Sequence, residues 1–354
     1  MRVAALAVCF LLIPAAGCGQ TLASPGDLSA DAPVTIPLQV TRNVTYGSYS
    51  ASISVGVGDA APLPFRFDTG SSGLHVYADA DLLRSGSGVA CTDIPTSVVY
   101  GNPPRIVFSG VVCYAQLHFS GSAAGAGAVA TPDAVRLAYL TSASCPPNNP
   151  GCRIPDLHSV KQMGGYGIFG AGLTGVSYGR NGIANPLTSL VGRRGQVFSV
   201  ALRRDGGQLV LGASSSPSAS PSPGTQTFAF GLSRVPGERY SLPTGCLFVN
   251  ESPSGHCPLL SFDTGNGVPF LHDTQFSGIP VTGGYVAAGT RLGVTAISAS
   301  RPATTLLAGT AFAQHIPAVV VTGQQPLTNV SIQAFFDHVV TYDDVRGSIS
   351  VSTP

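Results

Sequence analysis

The sequence predicts an all-β protein built from two related lobes with a cleft between them. Glycine and proline are abundant, at 44 and 28 of the 354 residues, and short apolar runs end at turns, a mixture that favours strands over helices. The tripeptide Asp-Thr-Gly occurs twice, at residues 68–70 and 263–265, each time directly after a phenylalanine. Two copies of one carboxylate-bearing turn indicate two halves that each contribute an acid to a shared site.

The domain boundaries follow from a change in composition between the two copies. Residues 213–225 consist almost entirely of serine, proline and other small residues, and such a segment cannot bury a core, so it predicts a surface linker. The N-terminal lobe is then residues 36–212 and the C-terminal lobe residues 226–354. Helical signals are sparse, and the clearest is a short helix beginning at Pro186 with Asn185 as its N-cap.

The N-terminus predicts export from the cell. Arg2 is followed by an apolar stretch and then by three small residues, so residues 1–17 have the form of a signal peptide. Cys18 comes next, and the stretch Ala15-Ala16-Gly17-Cys18 resembles a bacterial lipobox, in which the cysteine is lipidated. Ordinary cleavage nearby, which would give a soluble secreted protein, is the alternative. Residues 18–35 are small and polar and predict a tether, so the protein is expected at the bacterial cell envelope or secreted.

The cysteines predict disulfides. Cys9 leaves with the signal peptide, and the six cysteines other than Cys9 and Cys18 fall in pairs that are close in sequence: Cys91 with Cys113, Cys145 with Cys152, and Cys246 with Cys257. An exported chain favours disulfides over free thiols, and nearest-neighbour pairing is one of several possible connectivities. Metal binding is the alternative, which is disfavoured because no Cys-x-x-Cys occurs and the histidines do not cluster.

Charge and hydropathy exclude two classes of partner. The formal net charge is +1 and only 10% of residues are charged, so the chain has no basic surface of the kind that binds nucleic acid. No apolar run of 18 or more residues follows the N-terminal segment, so no further membrane-spanning helix is expected. Membrane attachment is expected only through a lipid at Cys18, and the protein is expected to be a monomer.

Two Asp-Thr-Gly turns could together perform acid–base chemistry. Glycine permits two loops to approach closely, and two carboxylates about 3 Å apart at an effective dielectric of ~20 repel by roughly 5 kcal/mol. Such a pair therefore shares one proton over a wide pH range. The ionised acid can accept a proton from water while the protonated acid donates to a carbonyl oxygen, which allows amide hydrolysis without a covalent intermediate.

The residues around the two turns resemble the pepsin-like aspartic proteases. Residues 65–76, Phe-Arg-Phe-Asp-Thr-Gly-Ser-Ser-Gly-Leu-His-Val, are similar to the first catalytic strand and loop of that family. Tyr100-Gly101 is similar to its flap hairpin, and residues 166–173 resemble the strand beneath the catalytic loop. The ends of the two lobes, residues 197–212 and 335–349, also match, so the resemblance covers most of residues 40–354.

The resemblance implies a bilobal pepsin-like acid protease fold with two β-barrel-like lobes, and an endopeptidase that cleaves extended polypeptides without a metal or organic cofactor. Asp68 and Asp263 match the catalytic pair. Ser71 matches the hydroxyl that bonds the first acid, and Tyr100 matches the flap tyrosine that closes over the substrate. The other supporting positions are Thr69, Gly70, Thr264, Gly265 and Asn266, of which the threonines match the pair that braces the two loops. A non-catalytic binding or inhibitory protein on the same fold is the alternative function.

Four features depart from the family pattern. Asn266 and Gly267 stand where the family has threonine or serine followed by serine, and the Asn266 amide can still donate a hydrogen bond to a carboxylate. His75 replaces a tryptophan, a change expected to remove the hydrogen bond that helps to place Tyr100. The flap segment Asn102-Pro103-Pro104 carries two prolines that should stiffen its tip. The strand beneath the second loop has two candidates, residues 306–309 and residues 329–331.

Overall fold

The computed structural model describes residues 32–352, apart from residue 337 and segments 44–47, 79–81, 83–85, 101–105, 121–128, 147–151, 153–164, 174–181, 213–225, 235–239, 273–279, 283–284, 298–302, 308–318 and 322–326. The predicted signal peptide, Cys18, most of the tether, the linker and the flap residues Asn102, Pro103 and Pro104 lie outside the described residues. Among the described residues, no helix has the length and apolar character needed to cross a membrane.

The predicted all-β class is confirmed, because strands make up nearly all of the regular structure in the described residues. In chain order the strands are β1 Val34–Asn43, β2 Ser48–Val57, β3 Leu63–Asp68, β4 Ser72–Tyr77, β5 Val89–Tyr100, β6 Ile106–Ala115, β7 Leu117–Phe119, β8 Val129–Ala130, β9 Val135–Ser144, β10 Gly167–Ala171, β11 Val197–Arg203, β12 Gly206–Leu211, β13 Thr227–Gly231, β14 Gly245–Val249, β15 Ser252–Pro253, β16 Leu259–Ser261, β17 Phe270–His272, β18 Val281–Thr282, β19 Tyr285–Val286, β20 Arg291–Ala296, β21 Thr304–Leu307, β22 Val319–Val321, β23 Leu327–Asn329, β24 Val339–Asp343 and β25 Ser348–Ser352.

The short helix predicted near Pro186 is present as one turn of 3-10 helix. It spans Pro186–Ser189, and the side chain of Asn185 accepts a hydrogen bond from the backbone N–H of Leu187 at 3.0 Å. The two further 3-10 turns among the described residues are Gly192–Gly195 and Ile332–Phe335. The capping residue was therefore identified correctly, and the turn is tighter than an α-helix.

The strands form three sheets, and one of them crosses from the first half of the chain to the second. The largest sheet has 15 strands, and its main path runs β13-β25-β24-β11-β12-β1-β2-β3-β10-β4-β9-β6-β5. The crossing point is the antiparallel pairing of β11 with β24, where Phe198 lies opposite Tyr342. The other two sheets, of four and six strands, contain only strands from the second half. The two halves are thus joined by continuous backbone hydrogen bonding.

Each Asp-Thr-Gly turn lies on a three-stranded unit of the same topology. In the first half, β10 lies between β3, with which it is parallel, and β4, with which it is antiparallel. In the second half, β23 lies between β16 and β17 with the same two orientations. Repetition of this unit places the two turns at equivalent positions, as the duplicated motif predicts.

Aromatic side chains fill the core beneath both turns. Phe67 and Phe169 stack with ring centroids 6.1 Å apart below the first turn, and Phe230 contacts Phe262 at 5.2 Å below the second. Each of these rings is at most 2% exposed and belongs to one hydrophobic cluster that includes residues of both halves. Burial of each ring contributes about 1.5–3 kcal/mol to the free energy of folding. The residues beneath both turns are therefore well packed.

Three disulfides are present, and they have the nearest-neighbour pairing: Cys91–Cys113, Cys145–Cys152 and Cys246–Cys257. The first joins residues that lie directly opposite each other in the β5–β6 ladder. Disulfides form and persist in oxidising compartments. The three bonds therefore indicate an exported protein.

Candidate active site

The two aspartates lie at one site because each directly follows a buried phenylalanine that fixes the direction of its side chain. In β3 the rings of Phe65 and Phe67 are fully buried in the core. Side chains alternate along a strand, so Arg66 and Asp68 lie on the opposite face, toward the second half. On the other side of the site, buried Phe262 anchors the chain directly before Asp263.

Two threonines lock the turns together through reciprocal hydrogen bonds. The backbone N–H of Thr69 donates to Oγ1 of Thr264 at 3.1 Å, and the N–H of Thr264 donates to Oγ1 of Thr69 at 3.0 Å. Each hydroxyl then donates across to the opposite strand, Thr69 to the carbonyl of Phe262 and Thr264 to that of Phe67, both at 2.8 Å. All four groups are buried, so no water competes for these bonds and the turns are held rigidly.

The two glycines allow each carboxyl to lie against the opposite turn. A β-carbon placed on Gly70 would lie 2.3 Å from Cγ of Asp263, and one placed on Gly265 would lie 2.3 Å from Cγ of Asp68. Only glycine therefore fits at these positions without displacing a carboxyl group. Because each carboxyl lies against the turn that carries the other, the acids of both motifs lie in one site.

Each carboxyl is also oriented by two donors from its own half. Asp68 accepts from the N–H of Gly70 at 2.8 Å and from the hydroxyl of Ser71 at 2.6 Å. Asp263 accepts from the N–H of Gly265 at 2.7 Å and from Nδ2 of Asn329 at 2.7 Å. Donation to both oxygens fixes each carboxyl plane and stabilises the ionised form.

The donor to Asp263 is Asn329, which corrects the expectation that Asn266 would fill this role. The side-chain oxygen of Asn266 accepts from the N–H of Val268 at 3.4 Å and serves the turn itself. Asn329 ends β23, beside Ser261 and Phe270. A signal for it existed in the sequence, because Asn329-Val330-Ser331 aligns with Ile168-Phe169-Gly170 once the two units are superposed in register.

That register also decides between the two candidate strands beneath the second turn. The strand is β23, which leads into residues 329–331, whereas Leu306 and Leu307 belong to β21 and pair with β20 in a different sheet. Ser331 replaces the glycine of the first half and adopts a φ of 58°. Its hydroxyl accepts from the N–H of Gln333 at 3.2 Å, which starts the following 3-10 turn and offsets the strain of this backbone conformation.

The pair carries a shared proton. Burial raises the pKa of Asp263 well above its ordinary value, the negative charge of Asp68 raises it further, and the hydrogen bond between the two carboxyls adds to the effect. The hydrogen bond from Asn329 and the charge of Arg66 oppose this rise without cancelling it. The two carboxyls therefore titrate as a coupled pair, in which burial and the charge of Asp68 favour the protonated form of Asp263.

This raised pKa predicts a pH-dependent effect of Asp263→Asn on thermal stability. A carboxyl with a raised folded-state pKa contributes stability that is complete below its unfolded pKa and is lost as pH rises through the folded pKa. Asparagine cannot ionise, so the Tm of the variant minus that of the wild type should increase by roughly 3–6 °C between pH 4 and pH 8. Scanning calorimetry at both pH values measures the change.

The exposed carboxyl of Asp133 provides the control for that measurement. Asp133→Asn should alter Tm by nearly the same amount at both pH values. A Tm difference for Asp263→Asn that is equal at pH 4 and pH 8 would show that Asp263 ionises in the folded protein as easily as in the unfolded chain.

His75 itself makes a hydrogen bond to Tyr100, which corrects the expectation that histidine in place of tryptophan would remove the bond that places this tyrosine. Its Nδ1 and the hydroxyl of Tyr100 are 2.5 Å apart, and the two rings meet edge to face at 5.6 Å. The Tyr100 hydroxyl also hydrogen-bonds Ser71. Ser71 donates its hydroxyl hydrogen to Asp68. Polar contacts thus connect His75, through Tyr100 and Ser71, to Asp68.

Burial keeps this chain neutral. It lowers the pKa of His75 to about 3, so the imidazole stays uncharged under most conditions. It also raises the pKa of Tyr100 well above 10.0, and the charge of Asp68 adds to that shift. Both side chains therefore keep their hydrogens while the carboxyl pair titrates, and Tyr100 is held over the first turn at the end of β5.

The arrangement suits the activation of a water molecule. Asp263, Gly70 and Gly265 are partly exposed to solvent, while the threonines that fix them are buried. One carboxyl of such a pair can accept a proton while its partner donates one. Of the residues named from the motif, Asp68, Asp263, Thr69, Thr264, Gly70, Gly265, Ser71 and Tyr100 meet at this site, and Asn329, His75 and Arg66 join them.

Comparison with solved structures supports the fold. The chain is similar to an aspartic proteinase from Irpex lacteus, with a TM-score of 0.59 and 16% identity over 91% of this chain and 97% of that one. It is also similar to basic 7S globulin from soybean, with a TM-score of 0.57 and 12% identity over 91% and 95%. No protein-family model and no curated protein matches the chain. The predicted pepsin-like fold is therefore confirmed, and function must be argued from the site.

Proposed function

We propose that the protein is an exported aspartic-type endopeptidase that hydrolyses peptide bonds with a water activated between Asp68 and Asp263. The observation that carries this proposal is that each carboxyl lies against the opposite Asp-Thr-Gly turn, where the reciprocal threonine bonds hold the two turns together. A structural role for two unrelated Asp-Gly turns requires neither the contact nor the symmetry. Maintaining two acids in contact opposes folding at neutral pH, which is consistent with a functional role.

The first step of the reaction adds water to the scissile amide. The water oxygen attacks the carbonyl carbon as ionised Asp68 accepts one of its protons. At the same time Asp263 gives its proton to the carbonyl oxygen, so that a tetrahedral gem-diol forms without charge on either oxygen. The raised pKa of Asp263, caused first by burial, supports its assignment as the acid in this step.

The second step breaks the carbon–nitrogen bond. Asp68 passes the proton that it received to the amide nitrogen, and one hydroxyl of the gem-diol returns a proton to Asp263. The products are a carboxylic acid and an amine, and the pair regains its starting protonation. Because the nucleophile is water and not a side chain, no covalent enzyme intermediate forms.

The neighbouring residues support these steps in defined ways. Ser71 and Asn329 donate to Oδ2 of the two carboxyls, and the N–H groups of Gly70 and Gly265 donate to Oδ1, so both carboxyls are held in fixed orientations. Tyr100, fixed by His75, would cover the scissile bond from the flap and exclude bulk solvent. A polypeptide substrate would bind in extended form between the lobes, where backbone hydrogen bonds give affinity and side-chain contacts give specificity.

The disulfides and the N-terminal sequence support the proposed localisation. The three disulfides support an exported, oxidising environment. Within that setting, the lipobox-like sequence supports attachment of the mature protein to a bacterial membrane through a lipid on Cys18. Mass spectrometry of the mature N-terminus tests the anchor. A diacylated cysteine at position 18 is the expected result, and an unmodified N-terminus would contradict the anchor.

Digestion of a denatured protein mixture between pH 3 and pH 6 tests the proposed activity. New internal termini, identified by mass spectrometry, should appear with the wild-type protein and be absent with the Asp68→Asn/Asp263→Asn double variant. The sample must first be shown to contain all three disulfides. Absence of cleavage at every pH in such a sample would favour a non-catalytic binding protein on the same fold.

A further inference from the structure

Arg66 is a cation beside the carboxyl pair that the acid–base mechanism does not use. It lies two residues before Asp68 on the same face of β3, between Ser52 of β2 and Ile168 of β10. Arginine is mostly exposed in folded proteins and is seldom buried without a partner. This side chain is partly buried and points across the site toward the second turn.

The guanidinium group makes a direct bond between the halves. Nη2 of Arg66 donates to the carbonyl oxygen of Gly265 at 2.6 Å. The N–H of the same Gly265 donates to Oδ1 of Asp263 at 2.7 Å. Arg66 therefore contacts the residue that orients one carboxyl, and it does so from the strand that carries the other. The threonine bonds lie on the buried side of the turns, so the arginine is a separate connection.

The charge of Arg66 also reaches the ionisable groups around it. Burial raises the pKa of Tyr77 to about 12, and the arginine opposes that rise. It similarly opposes the increase in the pKa of Asp263 that burial and Asp68 cause. Nε of Arg66 is buried, and no described residue accepts a hydrogen bond from it, so the positive charge is only partly neutralised by local acceptors.

We propose that Arg66 is a positioning residue for the carboxyl pair: it fixes the second turn through Gly265 and places a positive charge beside that turn. The proposal concerns the same site as the proposed peptidase activity and deepens it. Arg66 touches neither water nor the reacting atoms in the mechanism, so it acts through the two acids. The strand that carries Asp68 thus also supplies the cation that opposes the rise in the pKa of Asp263.

Few other groups at the site can titrate between pH 4 and pH 8. The ionisable side chains that face the pair, from β4, β5 and β24, are His75, Tyr77, Tyr100 and Tyr342. Burial lowers the pKa of His75 to about 3 and raises the pKa of Tyr77 to about 12. It also raises the pKa values of Tyr100 and Tyr342 well above the ordinary value for tyrosine. Any pH dependence that Arg66 alters in this range therefore arises from Asp68 and Asp263.

Thermal stability tests the proposal without any need for catalysis. Arg66→Met removes the charge, so the pKa of Asp263 rises further and ionisation of the pair costs more stability. The Tm of Arg66→Met minus that of the wild type should become more negative as pH increases from 4 to 8. In the Asp68→Asn/Asp263→Asn background the same substitution should give a pH-independent difference. Arg203→Met, at an exposed position, is the charge-matched control.

Kinetics provide the second readout if the peptidase activity is present. Both limbs of the kcat/KM profile should move to higher pH by about one unit in Arg66→Met, as expected on removal of a nearby opposite charge. Arg66→Gln, which is neutral but polar, should give the same shift if the methionine variant does not fold. Arg66→Lys retains a charge, so its limbs should stay close to those of the wild type.

The outcomes are distinguishable from failure of the proposed function. If the protein is inactive but shows the pH-dependent Tm difference, the proposed role of Arg66 stands and only the proposed peptidase activity is contradicted. A Tm difference that is the same at every pH, or that persists with pH dependence in the double-asparagine background, overturns the role of Arg66 whatever the activity.

Discussion

Asp68→Asn and Asp263→Asn each lower kcat/KM for peptide cleavage by about 10²–10⁴-fold. Each substitution removes one of the two proton-transfer groups, and a single positioned acid or base contributes about 10²–10⁴-fold. The two acids act as a unit, so the double variant should be little worse than either single variant. Assay of a cleavable peptide with all three proteins measures both effects.

Structural damage is separated from loss of chemistry by two controls. Asparagine has nearly the same shape as aspartate, and each variant should remain folded with its threonine bonds intact. Asp133→Asn changes an exposed carboxyl by the same chemistry and should retain wild-type activity. Full cleavage by either active-site variant would mean that the pair does not activate the water.

Gly70→Ala and Gly265→Ala have the second largest expected effect. The added methyl group would lie within 2.3 Å of the opposite carboxyl carbon, so Asp263 or Asp68 must move away by about 1 Å. A displacement of that size costs on the order of 10² in rate. Because the obstructing atoms are the ends of side chains, the carboxyl shifts more readily than the backbone, and activity should fall more than stability.

Gly231→Ala is the matched control for these variants. Gly231 lies in β13, and a β-carbon placed there meets no atom within 4 Å. The control should keep full activity and a nearly unchanged Tm. Wild-type activity in Gly70→Ala would contradict the close contact between that turn and the carboxyl of Asp263.

Local sequence patterns predicted the parts of the site that each half carries by itself. The Asp-Thr-Gly turns, the hydroxyl of Ser71 and the aromatic residues before each aspartate are contiguous in sequence, and their spacing defines their geometry. Cysteine pairs at short separation were also paired as expected. These features depend on a few neighbouring residues, so a single chain reveals them.

Contacts that depend on strand register could not be predicted from local sequence patterns. Asn329 reaches Asp263 because β23 inserts beside β16, and nothing local marks its amide as the donor in place of Asn266. The bond from Arg66 to Gly265 likewise joins residues from opposite halves. His75 was expected to lose a bond because its residue type was judged alone, whereas the bond depends on where β5 places Tyr100.

The junction of the two halves shows the same limit. The Ser/Pro linker predicted a boundary between two lobes, and across that boundary β24 of the second half pairs with β11 of the first. The ring of Tyr342 stacks on Phe198 at 4.7 Å, and its hydroxyl donates to the carbonyl of Phe262 at 2.8 Å. Composition predicts where the boundary between two lobes lies. Strand pairing across that boundary depends on packing between residues that are far apart in the sequence.

The pH dependence of kcat/KM for peptide cleavage by the wild-type protein tests the shared-proton mechanism most directly. A pair that must hold one proton predicts a bell-shaped profile, with loss of activity when a second proton binds and when the last proton leaves. Because burial and the charge of Asp68 raise the pKa of Asp263, the upper limb should lie well above the ordinary pKa of a carboxyl group. A rate that stays constant from pH 4 to pH 9, or a profile with only one limb, would contradict the mechanism.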